Sequence, residues 1–195
     1  MQSQTFVFYG IAGAGKGTQI KLLTDFLKNK HNLDSVYAGT GEGFRQMINS
    51  NSYASALVKE KITRGEYVDD FLTNAIFTNM LVGGLTSEKN LIADGYPRTV
   101  PQSGVFLDMM KFFKRDDVKI IYIEVGKEES MKRNMLRGRA DDTEEGLAKR
   151  YDEYVNKVVP SMNYFKDKEG YKVYTINGEQ SVEAVHQDIT KALGY

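Results

Sequence analysis

Residues 5–18 read TFVFYGIAGAGKGT, a short apolar strand followed directly by a glycine-rich loop that carries one lysine. A helical pattern comes next, with Ile20, Leu23, Phe26 and Leu27 on one face. A strand, a glycine loop and a helix in this order are the context of a phosphate-binding P-loop. The stretch therefore predicts an α/β domain that binds the phosphates of a nucleotide.

The loop has the residues that this chemistry needs. Its glycines allow backbone dihedrals that other residues avoid and bring N–H groups close to phosphate oxygens, at the positive end of the following helix. Lys16 adds a full positive charge for the β- and γ-phosphates. The common pattern places a hydroxyl directly after the lysine, whereas here Gly17 stands there and Thr18 follows, so direct Mg²⁺ coordination by the loop stays open. The glycines are Gly10, Gly13, Gly15 and Gly17.

Short β-branched and aromatic runs alternate with longer segments of helical periodicity along the chain. This alternation predicts an α/β P-loop NTPase fold, a three-layer sandwich with a five-stranded parallel sheet between helices. Pro160 lies inside a helical pattern over 147–165 and is expected to kink or split that helix. The predicted strands are 5–9, 35–38, 90–94, 118–125 and 172–176.

Length and composition exclude several classes of function. The chain has 195 residues, enough for one domain, and its 26 basic residues balance 26 acidic ones, so no global field favours nucleic acid or a membrane. It has no cysteine, and His31 and His186 lack partners at metal-ligand spacing, so no structural zinc is expected. No signal peptide or membrane span is predicted, which favours a cytoplasmic protein.

Residues 91–94, Leu-Ile-Ala-Asp, form an apolar strand that ends in a carboxylate. Downstream of a P-loop, Asp94 fits a Walker B carboxylate that holds Mg²⁺ or its waters. An aspartate at the end of a strand also caps turns in many proteins, so this interpretation of Asp94 depends mainly on the P-loop that precedes it in the sequence.

Several ordered motifs resemble the adenylate kinase family of nucleoside monophosphate kinases over nearly the whole chain. They are GAGKGT at 13–18, TGEGFR at 40–45, GEYV at 65–68, DGYPRTVPQ at 94–102, and four arginines around RADDTEE at 139–145. The resemblance implies a Mg²⁺-dependent, reversible transfer of the γ-phosphoryl group of ATP to AMP, which gives two ADP. It also implies a single domain with a core of 1–38, 69–135 and 143–195, a helical acceptor-binding insertion at 39–68 and a minimal lid at 136–142. A monomer is favoured.

The resemblance assigns residues to each substrate. The expected ATP site is Gly13, Ala14, Gly15, Lys16, Gly17, Thr18, Arg137 and Gln180. The expected AMP site is Thr40, Arg45, Glu66, Tyr67, Val68, Gly95, Tyr96, Pro97, Arg98, Gln102, Arg139 and Arg150. The expected catalytic cations are Lys16, Arg98, Arg133, Arg137, Arg139 and Arg150, and Asp94 is expected to hold Mg²⁺ through water.

This charge pattern suits phosphoryl transfer between two nucleotides. The acceptor phosphate has a second pKa of about 6, so it is already anionic near neutral pH and needs no general base. Arginines can neutralise and align the two anions. Arg133 and Arg137 lie four residues apart, which places them on one helix face. The alternative without a functional role is that the arginines form ion pairs with nearby acidic residues on solvated helices.

Two capping boxes are structural alternatives to functional roles, one at Asp142 with Glu145 and one at Thr99 with Gln102.

The sequence also bears on which base the acceptor nucleotide carries. Thr40 and Gln102 favour AMP, since pyrimidine-preferring relatives tend to have alanine where Thr40 stands. The alternatives are a UMP/CMP kinase of the same fold, a module that binds ATP and AMP without turnover, and an ATPase that drives motion.

The chain departs from the family pattern at four places. Ala12 and Asp69 replace common prolines, and Glu42-Gly43 replaces Asp-Leu. In the lid, Gly138 alone separates Arg137 from Arg139, whereas short-lid members have several residues there. So short a lid is expected to shield ATP poorly and to allow measurable ATP hydrolysis without an acceptor.

Overall fold

The computed structural model of the protein describes residues 3–138 and 143–195. Its strands are β1 (Thr5–Tyr9), β2 (Ser35–Gly39), β3 (Asn90–Asp94), β4 (Val118–Glu124) and β5 (Tyr171–Asn177). Its helices are α1 (Lys16–His31), α2 (Thr40–Ile48), α3 (Tyr53–Thr63), α4 (Asp70–Gly84), α5 (Val100–Phe112), α6 (Lys127–Arg137), α7 (Glu144–Glu153), α8 (Val159–Asn163) and α9 (Val182–Ala192), with a π-helical segment at Tyr154–Val158.

The strands form one parallel sheet in the order β2-β3-β1-β4-β5. Every residue of the central strand β1 is buried, which explains its unbroken apolar run, because helices cover both faces of a parallel sheet. Phe8 of β1 and Gly39 of β2 both lie opposite Asp94 of β3. The carboxyl ends of these strands therefore meet at one edge, where ligands of such sheets bind. The predicted fold is confirmed.

Pro160 interrupts its helix less than expected. It occupies the first turn of α8, where a missing N–H is tolerated, and the widened π-helical turn at Tyr154–Val158 precedes it. A wider turn relieves the clash that a proline ring makes with the carbonyl four residues earlier. The predicted split thus occurs before the proline and not at it.

The segment between β2 and α4 has a small apolar cluster of its own. Phe44, Val58 and Val68 form it, apart from the main core under the sheet. A Cβ at Gly43 would lie 2.5 Å from Cγ2 of Ile76 on α4. The glycine of the unusual Glu42-Gly43 pair thus lets α4 pack closely against α2.

Residues 139–142, which lie between α6 and α7 in the sequence, are outside the described residues. Gly138 ends α6 with a φ of 64°, and the expected lid residue Arg139 lies outside the described residues. Thr143 is the N-cap of α7, where its side chain accepts a hydrogen bond from Gly146 N at 3.1 Å. The expected Asp142–Glu145 capping box is therefore wrong, because the helix begins after Thr143. Asp142 itself lies outside the described residues.

In the described ranges, we find no helix that combines the length and the apolar character needed to cross a membrane.

Candidate active site

The P-loop follows β1 and ends in the first turn of α1. Gly13 and Gly15 have φ values of 83° and 89°, a region that favours glycine. A Cβ at Gly13 would also lie 2.7 Å from Nδ2 of Asn134. The glycine at this position is thus required by its dihedral angle and by its close packing against α6.

Helix α6 supports the P-loop through two buried polar side chains that the sequence analysis did not assign. Ser130 donates a hydrogen bond to the Ala12 carbonyl at 2.8 Å, and Asn134 Nδ2 donates to the same carbonyl at 2.9 Å. Their four-residue spacing places both on one helix face. Two short polar side chains four residues apart in a helix rich in charged residues are the sequence signal that could have revealed them.

Lys16 folds back over the loop that precedes it. Its ammonium donates to the carbonyls of Gly10 at 2.6 Å and Ile11 at 3.1 Å. Burial lowers the pKa of Lys16 to about 8, the charge of Asp94 opposes this shift, and the charges of Arg98 and Arg137 add to it. Four of the expected site residues are therefore close enough to interact electrostatically at the carboxyl edge of the sheet.

Asp94 lies at the end of β3, and its Oδ2 accepts a hydrogen bond from the Tyr37 hydroxyl at 3.0 Å. Within the described residues, no group of three or more metal-ligating side chains is found. One carboxylate next to a phosphate-binding loop suits Mg²⁺, which in such sites takes one or two carboxylates, substrate phosphates and waters. These residues therefore fit a Mg²⁺ ion that arrives with its nucleotide.

Arg98 is held beside the sheet edge by its own loop and by an aromatic ring. Its Nε donates to the Gly95 carbonyl at 2.7 Å, and its Cζ lies 4.8 Å from the centre of the Tyr67 ring. Burial raises the pKa of Tyr67, while the charges of Arg98 and Arg150 oppose that shift. The structure thus brings Tyr67 near two of the expected acceptor-side cations.

Thr40 and Gln102, the expected base readers, both make protein contacts. Thr40 is fully buried, and its hydroxyl donates to the Gly95 carbonyl at 2.8 Å. Gln102 accepts from Arg98 N at 2.8 Å and donates to Asp70 at 2.7 Å. Thr99 Oγ1 accepts from Gln102 N at 3.2 Å, so half of the expected capping box is present. One N–H of the Gln102 amide is not used by these contacts.

Other expected acceptor residues divide between the cleft and the core. Arg45 interacts electrostatically with Tyr37, close to Asp94. Val68 belongs to the small cluster of the insertion. The ring of Tyr96 lies in the main core, stacked on Phe77 at 4.1 Å, and its peptide bond with Pro97 is cis. Tyr96 is therefore a packing residue whose backbone leads into the Arg98 loop.

The remaining expected donor-side residues lie around the start of α9. Arg133 pairs with Glu129 at 2.6 Å and donates to the Gly178 carbonyl at 3.0 Å. Gln180 donates to the Asn177 carbonyl at 3.0 Å and to Asp188 at 2.9 Å. These partners place Arg133 beside the loop that leads to α9, and Lys16 interacts instead with Arg137.

A cavity of about 650 Å³ lies between the loop that joins α3 to α4 and the helical segments from α7 to α8. Glu66, Tyr67 and Val68 line it on one side, and Lys149 and Glu153 line it on the other. Lys149 donates to Glu66 at 2.8 Å. The loop between α3 and α4 and helix α7 therefore contact each other directly.

Comparison with known proteins gives one family. The family described as adenylate kinase matches residues 8–170. The chain is 32% identical to an adenylate kinase of Prochlorococcus marinus (strain MIT 9301), over 96% of this chain and 97% of that protein. It is 31% identical to adenylate kinases of Thermosipho africanus, over 94% of this chain and 96% of that protein, and of Bacteroides fragilis, over 96% of each.

Proposed function

The chain belongs to the adenylate kinase family and is a phosphotransferase acting on nucleoside monophosphates, and on that premise we propose that its acceptor is AMP. The reaction is the reversible transfer of the γ-phosphoryl group of ATP to AMP, which yields two ADP. The observation that carries this proposal is the alignment with relatives named adenylate kinase over 96% of the chain.

On the donor side, the P-loop binds ATP. The Lys16 ammonium donates to the Gly10 and Ile11 carbonyls, and phosphate oxygens replace these two acceptors when ATP binds. Asp94 would hold Mg²⁺ through water, and the ion would supply neutralisation of the phosphate charge. Arg137, at the end of α6, adds a cation on the same side.

On the acceptor side, arginines hold the AMP phosphate. Arg98 is aimed by the Gly95 carbonyl and by the Tyr67 ring, and Arg45 lies near Tyr37. Arg150, and Arg139 from the lid, bridge the two phosphates. Guanidinium groups suit this role because they stay charged and donate two parallel hydrogen bonds. No protein base is needed, since the attacking oxygen is already anionic near neutral pH.

The insertion at 39–68 and the lid at 136–142 close over the substrates, exclude water and align the phosphates. We further propose that the protein acts as a cytoplasmic monomer on free nucleotides, without nucleic acid or membrane. The formal charge balance of 26 basic and 26 acidic residues supports only the last part of this proposal, the lack of a nucleic-acid or membrane partner.

The first experiment measures ADP formation by the purified protein with Mg-ATP plus AMP, beside ATP alone and ATP with UMP, CMP or GMP. Turnover that is strong only with AMP is expected. Higher turnover with UMP or CMP than with AMP would make a pyrimidine nucleotide the acceptor and leave the proposed phosphoryl transfer unchanged. No turnover with any acceptor would favour a binding module.

Three variants at Thr40 separate base reading from positioning. Thr40→Val and Thr40→Ala remove the hydroxyl that donates to Gly95, and Thr40→Ser keeps it. If Thr40 reads the base, the first two variants change the ratio of AMP to UMP turnover. If it only positions the Gly95 loop, they lower turnover with both acceptors by the same factor, and the ratio is unchanged.

A further inference from the structure

Tyr37 and Asp94 are joined by a hydrogen bond that none of the sequence motifs predicts. Tyr37 lies two residues before the end of β2, and Gly39, at that end, lies opposite Asp94 of β3. The Tyr37 side chain runs along its own strand past Gly39, and its hydroxyl donates to Asp94 Oδ2 at 3.0 Å. The contact thus spans the carboxyl ends of two neighbouring strands.

Gly39 makes room for this contact. Its φ of −113° and ψ of 106° are ordinary extended values that any residue adopts, so the backbone does not require glycine. A Cβ at Gly39 would lie 2.3 Å from the Tyr37 hydroxyl oxygen and 2.5 Å from Cζ of the ring. The glycine is therefore explained by the tyrosine that lies across it.

The hydroxyl lies close to charged side chains, among them Asp94 and Arg45 of the proposed site. Tyr37 is 44% exposed, and the charges of Asp94, Glu42 and Arg45 all act on it. The tyrosine hydroxyl carries one proton, and it donates this proton to Oδ2 of Asp94. With Oδ2 held by this proton, Oδ1 of Asp94, to which no hydrogen bond is found in the described part of the chain, remains for a metal-bound water.

We propose that Tyr37 is a positioning residue for the Mg²⁺-associated carboxylate, and that Gly39 serves the active site by leaving space for its ring. This inference rests on the proposed role of Asp94. Fixing one carboxylate oxygen orients the other, and removing the partner of a metal-associated carboxylate weakens metal affinity. The exposed position of the hydroxyl keeps the effect below that of a buried partner.

The test is Tyr37→Phe, which keeps the ring and removes the donor. We expect the Mg²⁺ concentration for half-maximal rate to rise about threefold to tenfold, with the KM for AMP nearly unchanged. A second readout is independent of turnover. Binding of Mn²⁺ to the complex of enzyme and ATP, followed by electron paramagnetic resonance, should weaken by a similar factor. Tyr53→Phe, on the exposed first turn of α3, is the matched control and should change neither value.

Gly39→Ala breaks the same contact without removing the hydroxyl, because the new methyl group must displace the ring. The two substitutions act on one interaction, so the double variant should show about the same metal dependence as either single variant. An unchanged Mn²⁺ affinity in Tyr37→Phe overturns the inference, and so do fully additive effects of the two substitutions.

Asp94→Asn distinguishes failure of the inference from failure of the proposed site. If Asp94→Asn weakens Mn²⁺ binding and Tyr37→Phe does not, Asp94 holds the metal and Tyr37 does not position it. If Asp94→Asn leaves Mn²⁺ binding unchanged, the metal assignment of Asp94 is wrong and the inference is overturned with it.

Discussion

Glu66, in the loop before α4, and Lys149, on α7, form an ion pair with 2.8 Å between their charged groups. A second contact lies beside it, since a Cβ at Gly65 would come within 3.0 Å of the Gly146 carbonyl oxygen. The loop between α3 and α4 therefore contacts α7 directly, and we expect this contact to favour a closed cleft.

Replacing Lys149 with Met is expected to raise the KM for AMP about twofold to fivefold at low ionic strength, with a smaller change in kcat. The ion pair is partly exposed, so salt should reduce the difference between variant and wild type. The charge swap, Glu66→Lys with Lys149→Glu, is the control and should recover most of the loss. Equal KM values for wild type and Lys149→Met at low ionic strength would contradict the role of the pair.

The pH dependence of this pair follows from Glu66. The hydrogen bond from Lys149 lowers the pKa of Glu66 below its ordinary value. A lowered carboxyl pKa means that the contact is present above the ordinary pKa and is lost only as the pH falls through the lowered value. The effect of Lys149→Met on the KM for AMP should therefore be constant across neutral pH.

Gly65→Ala should destabilise the protein more than Gly194→Ala. Both glycines have positive φ, 73° and 84°, but only at Gly65 would a Cβ meet other atoms. We expect a decrease in the free energy of unfolding of about 1 kcal/mol for Gly194→Ala from its dihedral angle alone, and of about 2 kcal/mol or more for Gly65→Ala. Urea unfolding measures both. Equal losses would show that the Gly146 contact has no energetic weight.

ATP affinity should fall as the pH rises above about 8, the value to which burial lowers the pKa of Lys16. This pKa is depressed, so the charged form is disfavoured until phosphates replace the loop carbonyls. Below it Lys16 is already charged, and above it ATP binding must take up a proton.

We expect the Kd for Mg-ATP to rise by up to about tenfold per pH unit above pH 8, measured by calorimetry. Lys16→Arg is the comparison, because an arginine stays charged throughout this range. Whatever its absolute affinity, that variant should show a flat profile. The same slope in both proteins would assign the titration to another group.

The parts that the sequence predicts are those that local pattern controls. The strand before the P-loop and the one that ends in Asp94 have the predicted bounds, because buried parallel strands read as continuous apolar runs. The loop motifs likewise locate Lys16 and Arg98. These features depend on neighbours in the chain, and a single sequence contains them.

The sequence predicts the hydrogen-bond and ion-pair partners of individual side chains less well. The Tyr37–Asp94 hydrogen bond joins residues 57 positions apart, and the Glu66–Lys149 bond spans 83 positions. Such pairs depend on how elements pack, which residue spacing does not encode. For the same reason, the four-residue spacing of Arg133 and Arg137 did not reveal that Arg133 would pair with Glu129 and the Gly178 carbonyl.

Tyr67→Leu tests the ring under Arg98. Leucine keeps an apolar side chain at this position but has no π face for the guanidinium. We expect the KM for AMP to rise about twofold to fivefold, while Tyr67→Phe, which keeps the ring, should stay close to wild type. Equal KM values in the two variants would show that the aromatic face does not position Arg98.

The short connection between α6 and α7 affects whether water, in place of AMP, can accept the γ-phosphoryl group of ATP. Arg137 ends α6 and Thr143 caps α7, so residues 138–142 alone join them. Longer lids exclude water from the transferred phosphoryl group, and so short a segment has less surface with which to cover ATP. We therefore expect ADP to form from Mg-ATP alone at a rate above the background without enzyme, and well below the rate with AMP.

Lys16→Met is the control for this hydrolysis, because loss of the P-loop cation should return ADP formation to background if it occurs at this site. Hydrolysis that persists in Lys16→Met would point to a contaminating ATPase. An ADP yield from wild type at the background without enzyme would show that these few residues, with α7 already in contact with the insertion through Lys149 and Glu66, are enough to exclude water.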